Sequence, residues 1–204
     1  MKKICKVALG TVKLVWAGMK GIFVKYGEEW DQLSQTVDTV IDFAHTYINP
    51  EPKDDNPYAL KLASQGSQYN HRIKTEAVLS KDVSDIISYV RNNTVDVPLI
   101  LYRSMSFETL KEMMRNADKD CDLCEKRFLF TALVREHEEQ GHKIRLRIYA
   151  PAGVHAVYSG FVYEKVERKE DIDKHYPYFE VILQPGIKLK ICSIDNGYIN
   201  CVVV

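Results

Sequence analysis

Three polar side chains set in apolar, strand-like segments are the candidates for chemistry in this chain of 204 residues. Arg103 ends the run Val97-Pro98-Leu99-Ile100-Leu101-Tyr102, Thr131 interrupts Phe128-Leu129-Phe130-Thr131-Ala132-Leu133, and Glu180 opens Glu180-Val181-Ile182-Leu183. A guanidinium at the end of a buried strand grips a phosphate or a carboxylate through two parallel hydrogen bonds, although a structural ion pair is the plainer reading. A threonine hydroxyl in such a place either satisfies the backbone or orients a catalytic group. A carboxylate in an apolar strand is costly if it is buried without a partner, so Glu180 either faces water at an edge or is held there for a purpose. Strand alternation places Val181 and Leu183 on one face and Glu180 and Ile182 on the other.

A different chemistry competes for part of the same segment. Cys121-x-x-Cys124 followed by His137 and His142 has the spacing of a two-cysteine, two-histidine zinc site, with Phe128 and Val134 at the core positions of such a finger. Thiolates and imidazoles at those separations close a tetrahedral site, and the product would be a zinc-binding interaction module without catalysis. The finger needs the residues around Thr131 for a hairpin and helix, so it excludes a Thr131 strand that pairs elsewhere. His137 and His142 are five apart, one too many for the metalloprotease helix pattern.

The elements that must position these groups follow from periodicity. Residues 2 to about 25 read as a basic amphipathic helix, with Lys6, Lys13 and Lys20 spaced by sevens along one face. Either a membrane surface or a partner covers its apolar side, or it packs on the body of the protein. A second helix is expected from about 28 to 47 on the spacing of Trp30, Leu33, Val37, Val40, Ile41 and Ala44. The segment 49–57, with Pro50, Pro52 and Pro57, marks a boundary. A short helix over 58–69, a helix capped by Ser80 and running to about 91, and a helix capped by Ser106 come next. Strands are expected over 97–103, 144–149, 154–158 and 179–183, with 188–194 and 198–204 completing an antiparallel meander through turns at Pro185-Gly186 and Asn196-Gly197. Residues 164–174 are a charge run of solvated loop character. Helices first and strands afterwards make the class α+β.

Composition narrows the partners. Lys and Arg number 28 and Asp and Glu 28, so no global field draws the chain to nucleic acid or to a membrane. Five cysteines form no dense framework and suit a reducing compartment. Lys6 and Lys13 interrupt the apolar N-terminal stretch, which argues against a signal peptide. The expectation is a cytoplasmic protein, or one delivered into a target cell without such a signal.

In their order along the chain, the segments around Arg103, Thr131 and Glu180 resemble the arginine, serine-threonine-serine and glutamate strands of the ADP-ribosyltransferase toxin family. Leu101-Tyr102-Arg103-Ser104 is similar to the arginine strand, and Phe128 to Leu133 to the serine-threonine-serine strand. Ile148 to Gly153 with Ala156-Val157-Tyr158 is similar to the strand-turn-strand before the catalytic loop. Phe179 to Ile191 is similar to the glutamate strand with its hairpin, and Tyr69-Asn70 to a tyrosine- and asparagine-containing helix. The resemblance covers residues 58 to 204, with 1–50 as a separate N-terminal helical region that an antitoxin, a chaperone or a membrane surface would cover. It implies a split antiparallel β-sandwich with NAD, the substrate, in its cleft, and transfer of ADP-ribose to a protein or nucleic-acid acceptor. It implies that Glu180 stabilises the oxocarbenium-like transition state, that Arg103, Tyr102, Ser104, Asn70 and Thr131 contact NAD, and that Thr131 helps fix the glutamate. Phe130 and Ala132 stand where both serines would be. Tyr178 stands two before the glutamate, where relatives carry Glu or Gln, and it is the candidate for contact with the acceptor.

Overall fold

The computed structural model describes residues 30–48, 57–138, 141–160, 179–195 and 197–204. The predicted helix at 2–25, most of the proline-rich boundary, the charge run at 164–174 and Tyr178 lie outside the described residues. Besides the helical residues 30–33, four helices occur among those that are described: α1 (Val40–Tyr47), α2 (Pro57–Thr75), α3 (Lys81–Arg91) and α4 (Phe107–Asn116). The strands are β1 (Thr94–Val95), β2 (Leu99–Met105), β3 (Leu123–Glu125), β4 (Leu129–Ala132), β5 (Ile144–Ala150), β6 (Val154–Tyr158), β7 (Glu180–Leu183), β8 (Ile187–Asp195) and β9 (Tyr198–Val203). They form one sheet in the order β1-β6-β7-β4-β2-β5-β9-β8-β3, antiparallel except where β5 runs parallel to β9.

The sheet has two halves that meet at one place. β2 and β4 share a single register pair, Tyr102 with Ala132, whereas β2 pairs with β5 along its whole length from Leu99 to Met105. Inner faces from both halves feed one apolar core. Leu129, Val181, Leu183 and Ala156 come from one half, Leu101, Met105, Leu146, Ile148, Leu189 and Cys201 from the other, and Val40 and Ala44 of α1 join them. A smaller cluster on the opposite face of the first half packs α2 and α3 against Phe128, Val157 and Ile182 through Leu62, Tyr69, Val83, Ile86, Ile87 and Val90. A third joins Trp30 to Ile100, Tyr102 and Tyr198 on the second half.

Two expectations are corrected. The helix expected over 28–47 is interrupted: residues 30–33 are helical, Gln35 then makes an isolated bridge with Val134, and α1 starts only at Val40. Thr39 marks the break, because its Oγ1 takes the Thr36 amide that a continuous helix would bond to a carbonyl one turn back. The C-terminal meander is also divided. β8 and β9 form the expected hairpin, with Gly197 at φ +80°, but β7 pairs with β4 and β6 rather than with β8. Pro185-Gly186 therefore carries the chain from one half of the sheet to the other, and the Gly186 amide donates to the Glu125 carbonyl on β3.

The caps differ in how they work. Ser106 accepts from the Thr109 amide and starts α4 as its type predicts. Ser80 is the N-cap residue of α3, but its hydroxyl donates to Asp82 and meets Arg72 of α2 instead of capping an amide. It thereby ties α2 to α3.

Candidate active site

The cleft opens on the face of the sheet where β2 and β4 diverge, between the α2 cluster and the Trp30 cluster. Its volume is about 630 Å³, within the range of small-molecule sites. Leu62, Gly66, Asn70 and Lys74 line it from α2, and Tyr102, Arg103, Phe130, Ala132 and Glu180 from the sheet; His137 and Glu138 close it from the segment after β4.

Register explains the floor. Ala132 lies opposite Glu180, and Phe130 opposite Ile182, so these four side chains share one face of β4 and β7. Thr131 borders the cleft as well, but its side chain alternates to the other face. It is buried, at 4% exposure, and its Oγ1 donates to the Val181 carbonyl at 2.7 Å. Its hydroxyl therefore locks β4 to the strand that carries Glu180. Phe130 is accommodated by α2: a Cβ at Gly66 would stand 2.4 Å from Phe130 Cζ, so only glycine leaves room for the ring. α2 departs from helical geometry one residue earlier, at Gln65 (φ −129°, ψ 15°).

The remaining candidates take distinct places. Arg103 donates from Nη1 to the Phe130 carbonyl at 3.0 Å, reaching across the gap between β2 and β4. Asn70 clasps one residue of the sheet strand: Nδ2 donates to the Phe128 carbonyl at 3.0 Å, and the Phe128 amide donates to Oδ1 at 2.9 Å. Tyr102 lines the cleft with its hydroxyl 2.8 Å from Ser34 Oγ. Ser104 is buried at 2% exposure and is not among the lining residues. Glu180 is half-buried, and its Oε2 accepts from Ser159 Oγ at 2.7 Å. The sequence reading missed Ser159, because the partner of Glu180 depends on the register of β6 against β7. It also missed the opposite wall. There Glu138, 4% exposed, accepts on Oε1 from Arg145 Nε at 2.6 Å and from the Tyr198 hydroxyl at 3.0 Å. Burial first, and then the Glu138 carboxylate, push the Tyr198 phenol up to about 12.

The zinc arrangement is not supported. Cys121 and Cys124 lie at β3, the terminal strand of one half of the sheet, and Cys121 Sγ donates to Asp118 Oδ1 at 3.5 Å. His137 follows β4 and packs edge-on against Phe179 at 4.9 Å. Among the described residues no three metal-binding side chains converge. β3 pairs with β8 and β4 with β2 and β7, so no finger hairpin forms. The residues meant for its helix form a turn with Glu136 at φ +67°.

No family model and no curated protein sequence matches the chain. Solved structures match it over most of its length. Plx2a, an ADP-ribosyltransferase toxin from Paenibacillus larvae, superposes with a TM-score of 0.59 at 15% identity, covering 82% of this chain and 96% of that one. This chain has the fold of the ADP-ribosyltransferase toxins. C3stau2 from S. aureus, solved with NAD, gives the same score and identity over 83% of this chain and 96% of its own. BECa of a binary enterotoxin of C. perfringens, solved with NADH, gives 0.58 at 15% identity over 83% of this chain and 49% of its own. The α+β class and the ADP-ribosyltransferase type of fold are found as expected, and the split antiparallel β-sandwich takes the form of one large, mostly antiparallel sheet with several helices.

Proposed function

We propose that the protein is an NAD-dependent mono-ADP-ribosyltransferase of toxin or effector type, acting on a macromolecular acceptor. The observation that carries this reading is Glu180, a hydrogen-bonded carboxylate in a cleft lined by Arg103, within a fold whose solved examples include proteins crystallised with NAD or NADH. The donor set suits a dinucleotide. Arg103 offers a guanidinium for the diphosphate, with His71 as a further donor along α2 and the Phe130 ring beside it; Lys74 lines the same wall but is paired with Glu112 at 2.9 Å. Arg127 also lines the cleft, but its guanidinium is committed to Glu125 at 2.8 and 2.9 Å. Asn70 and Thr131 act on this reading by holding β4 in place, Asn70 from α2 and Thr131 by bonding β4 to the Val181 carbonyl of β7.

In the reaction the bond between the nicotinamide nitrogen and ribose C1′ breaks, and its electron pair leaves with nicotinamide. The ribose acquires oxocarbenium character, which a fixed carboxylate in a site shielded from water stabilises, as carboxylates do in glycoside hydrolysis. A nucleophile of the acceptor then bonds to C1′ and releases its proton. Tyr178, two residues before Glu180, is the proposed contact for that acceptor.

Nicotinamide release from NAD, measured with a cell lysate as the source of acceptor, tests the proposal. Glu180→Gln keeps the shape of the side chain and removes its charge, so release is expected to fall by about a hundredfold or more with the melting temperature little changed. A wild-type protein that neither binds nor consumes NAD overturns the reading.

A further inference from the structure

We propose that Ser159 is a positioning residue for Glu180, supplying from beside β7 the hydroxyl that β4 lacks on that face of the sheet. The inference rests on the transferase reading above and on the row of residues that crosses the sheet at this point. Glu180 has one neighbour on each side. On β4 the neighbour is Ala132, its register partner, which offers a methyl group and no donor. On the other side β6 pairs with β7 through Ala156, Val157 and Tyr158 against Leu183, Ile182 and Val181. One step further along, Ser159 stands beside Glu180, and its amide donates to the Glu180 carbonyl at 3.0 Å.

The hydroxyl has one proton and two acceptors within reach. The Glu180 carbonyl is 3.4 Å away and Oε2 is 2.7 Å away, so the shorter, charge-assisted bond to the carboxylate takes it. Ser159 is itself 2% exposed, which removes water as a competitor for that proton. One residue thus fixes Glu180 twice: the amide sets the position of its backbone and the hydroxyl sets the plane of its carboxylate. Thr131 contributes nothing to that plane, because its hydroxyl faces the other side of the sheet and is spent on Val181. The loss of hydroxyls at 130 and 132 is therefore compatible with an oriented carboxylate.

The test moves the hydroxyl from one side of Glu180 to the other. In Ser159→Ala, kcat for nicotinamide release is expected to fall by about thirtyfold to a hundredfold, the scale of a misoriented catalytic group, while KM for NAD stays within about twofold. Adding Ala132→Ser to that variant is expected to restore kcat to within about fivefold of wild type, because a serine there faces the same carboxylate from β4. Unchanged kcat in Ser159→Ala overturns the proposal. So does a loss that Ala132→Ser fails to repair in a protein whose melting temperature is native. If wild type itself releases no nicotinamide, the transferase reading fails, and the contact is then judged by melting temperatures alone. Non-additive shifts in Ser159→Ala, Glu180→Ala and the double variant retain Ser159 as the group that holds Glu180; additive shifts remove it.

Discussion

The two walls of the cleft are held by different forces. On the Glu180 side, β4, β7 and β6 are joined by successive register pairs, and the side chains add Thr131 to Val181 and Ser159 to Glu180. On the other side the segment after β4 has, among the described residues, the Leu133 amide bonded to the Phe179 carbonyl, the His137 amide to the Val134 carbonyl, and the bridge from Val134 to Gln35. Its side-chain anchor is the buried Glu138, bonded to Arg145 and Tyr198. A wall made chiefly of backbone pairing tolerates most single substitutions, since no one side chain carries it alone. A wall that leans on a buried carboxylate weakens when a charged partner such as Arg145 is removed. The catalytic candidate lies on the first kind.

The largest stability effect is accordingly expected on the ionic wall. Arg145→Met leaves Glu138 buried against a methionine and is expected to cost roughly 3 kcal/mol in chemical denaturation, and adding Glu138→Leu is expected to recover most of it. Failure of the double variant to recover would show that this wall, too, is held by its backbone. Next in size is Asn70→Ala, which strips two hydrogen bonds from the Phe128 backbone. About 2 kcal/mol is expected, together with weaker NAD binding because β4 carries the floor of the cleft. An Asn70→Ala protein of native stability would mean that register alone holds the first wall.

The smallest effect lies where α2 meets α3. Hydrogen bonds from Arg72 hold the Asp82 and Glu76 carboxyls below their ordinary range. A carboxyl depressed in the folded state contributes stability above its unfolded pKa and loses it as pH falls through the folded one. Arg72→Ala is therefore expected to lower the melting temperature slightly at neutral pH. The difference should shrink on acidification, as Glu76 and then Asp82 take up protons. A difference that grows in acid would contradict that sign.

How much of this was legible in the sequence depends on how local each feature is. β2, β5 and β6 are visible as alternating or apolar runs, and the Ser106 cap is visible three residues before the amide it receives. Arg103 and Glu180 stand out because a charge in an apolar strand is conspicuous by itself. The direction of Thr131 was not legible: alternation says that it opposes its neighbours, but not which face carries the cleft. The role of Asn70 depends on Phe128, 58 residues away. Ser159 needed the pairing of β6 with β7, and the split meander needed to be known as a crossing between halves. The cysteine and histidine spacing misled because spacing along a chain is not proximity in a sheet. β3 and β4 are neighbours in sequence and belong to different halves.

The contact between Gly66 and Phe130 constrains the order in which this sequence can change. The ring occupies the notch that a missing side chain leaves on α2, so the two positions form a lock with one sequence of opening. If position 66 enlarges first, the ring is driven from the floor while the rest of the cleft still expects it. If position 130 shrinks first, the floor gains a hollow beside bare helix backbone, and a larger residue at 66 can then fill it. A lineage can thus leave the present arrangement through position 130 far more readily than through position 66, and a library that varies only one of the two will sample half of the accessible floor shapes poorly.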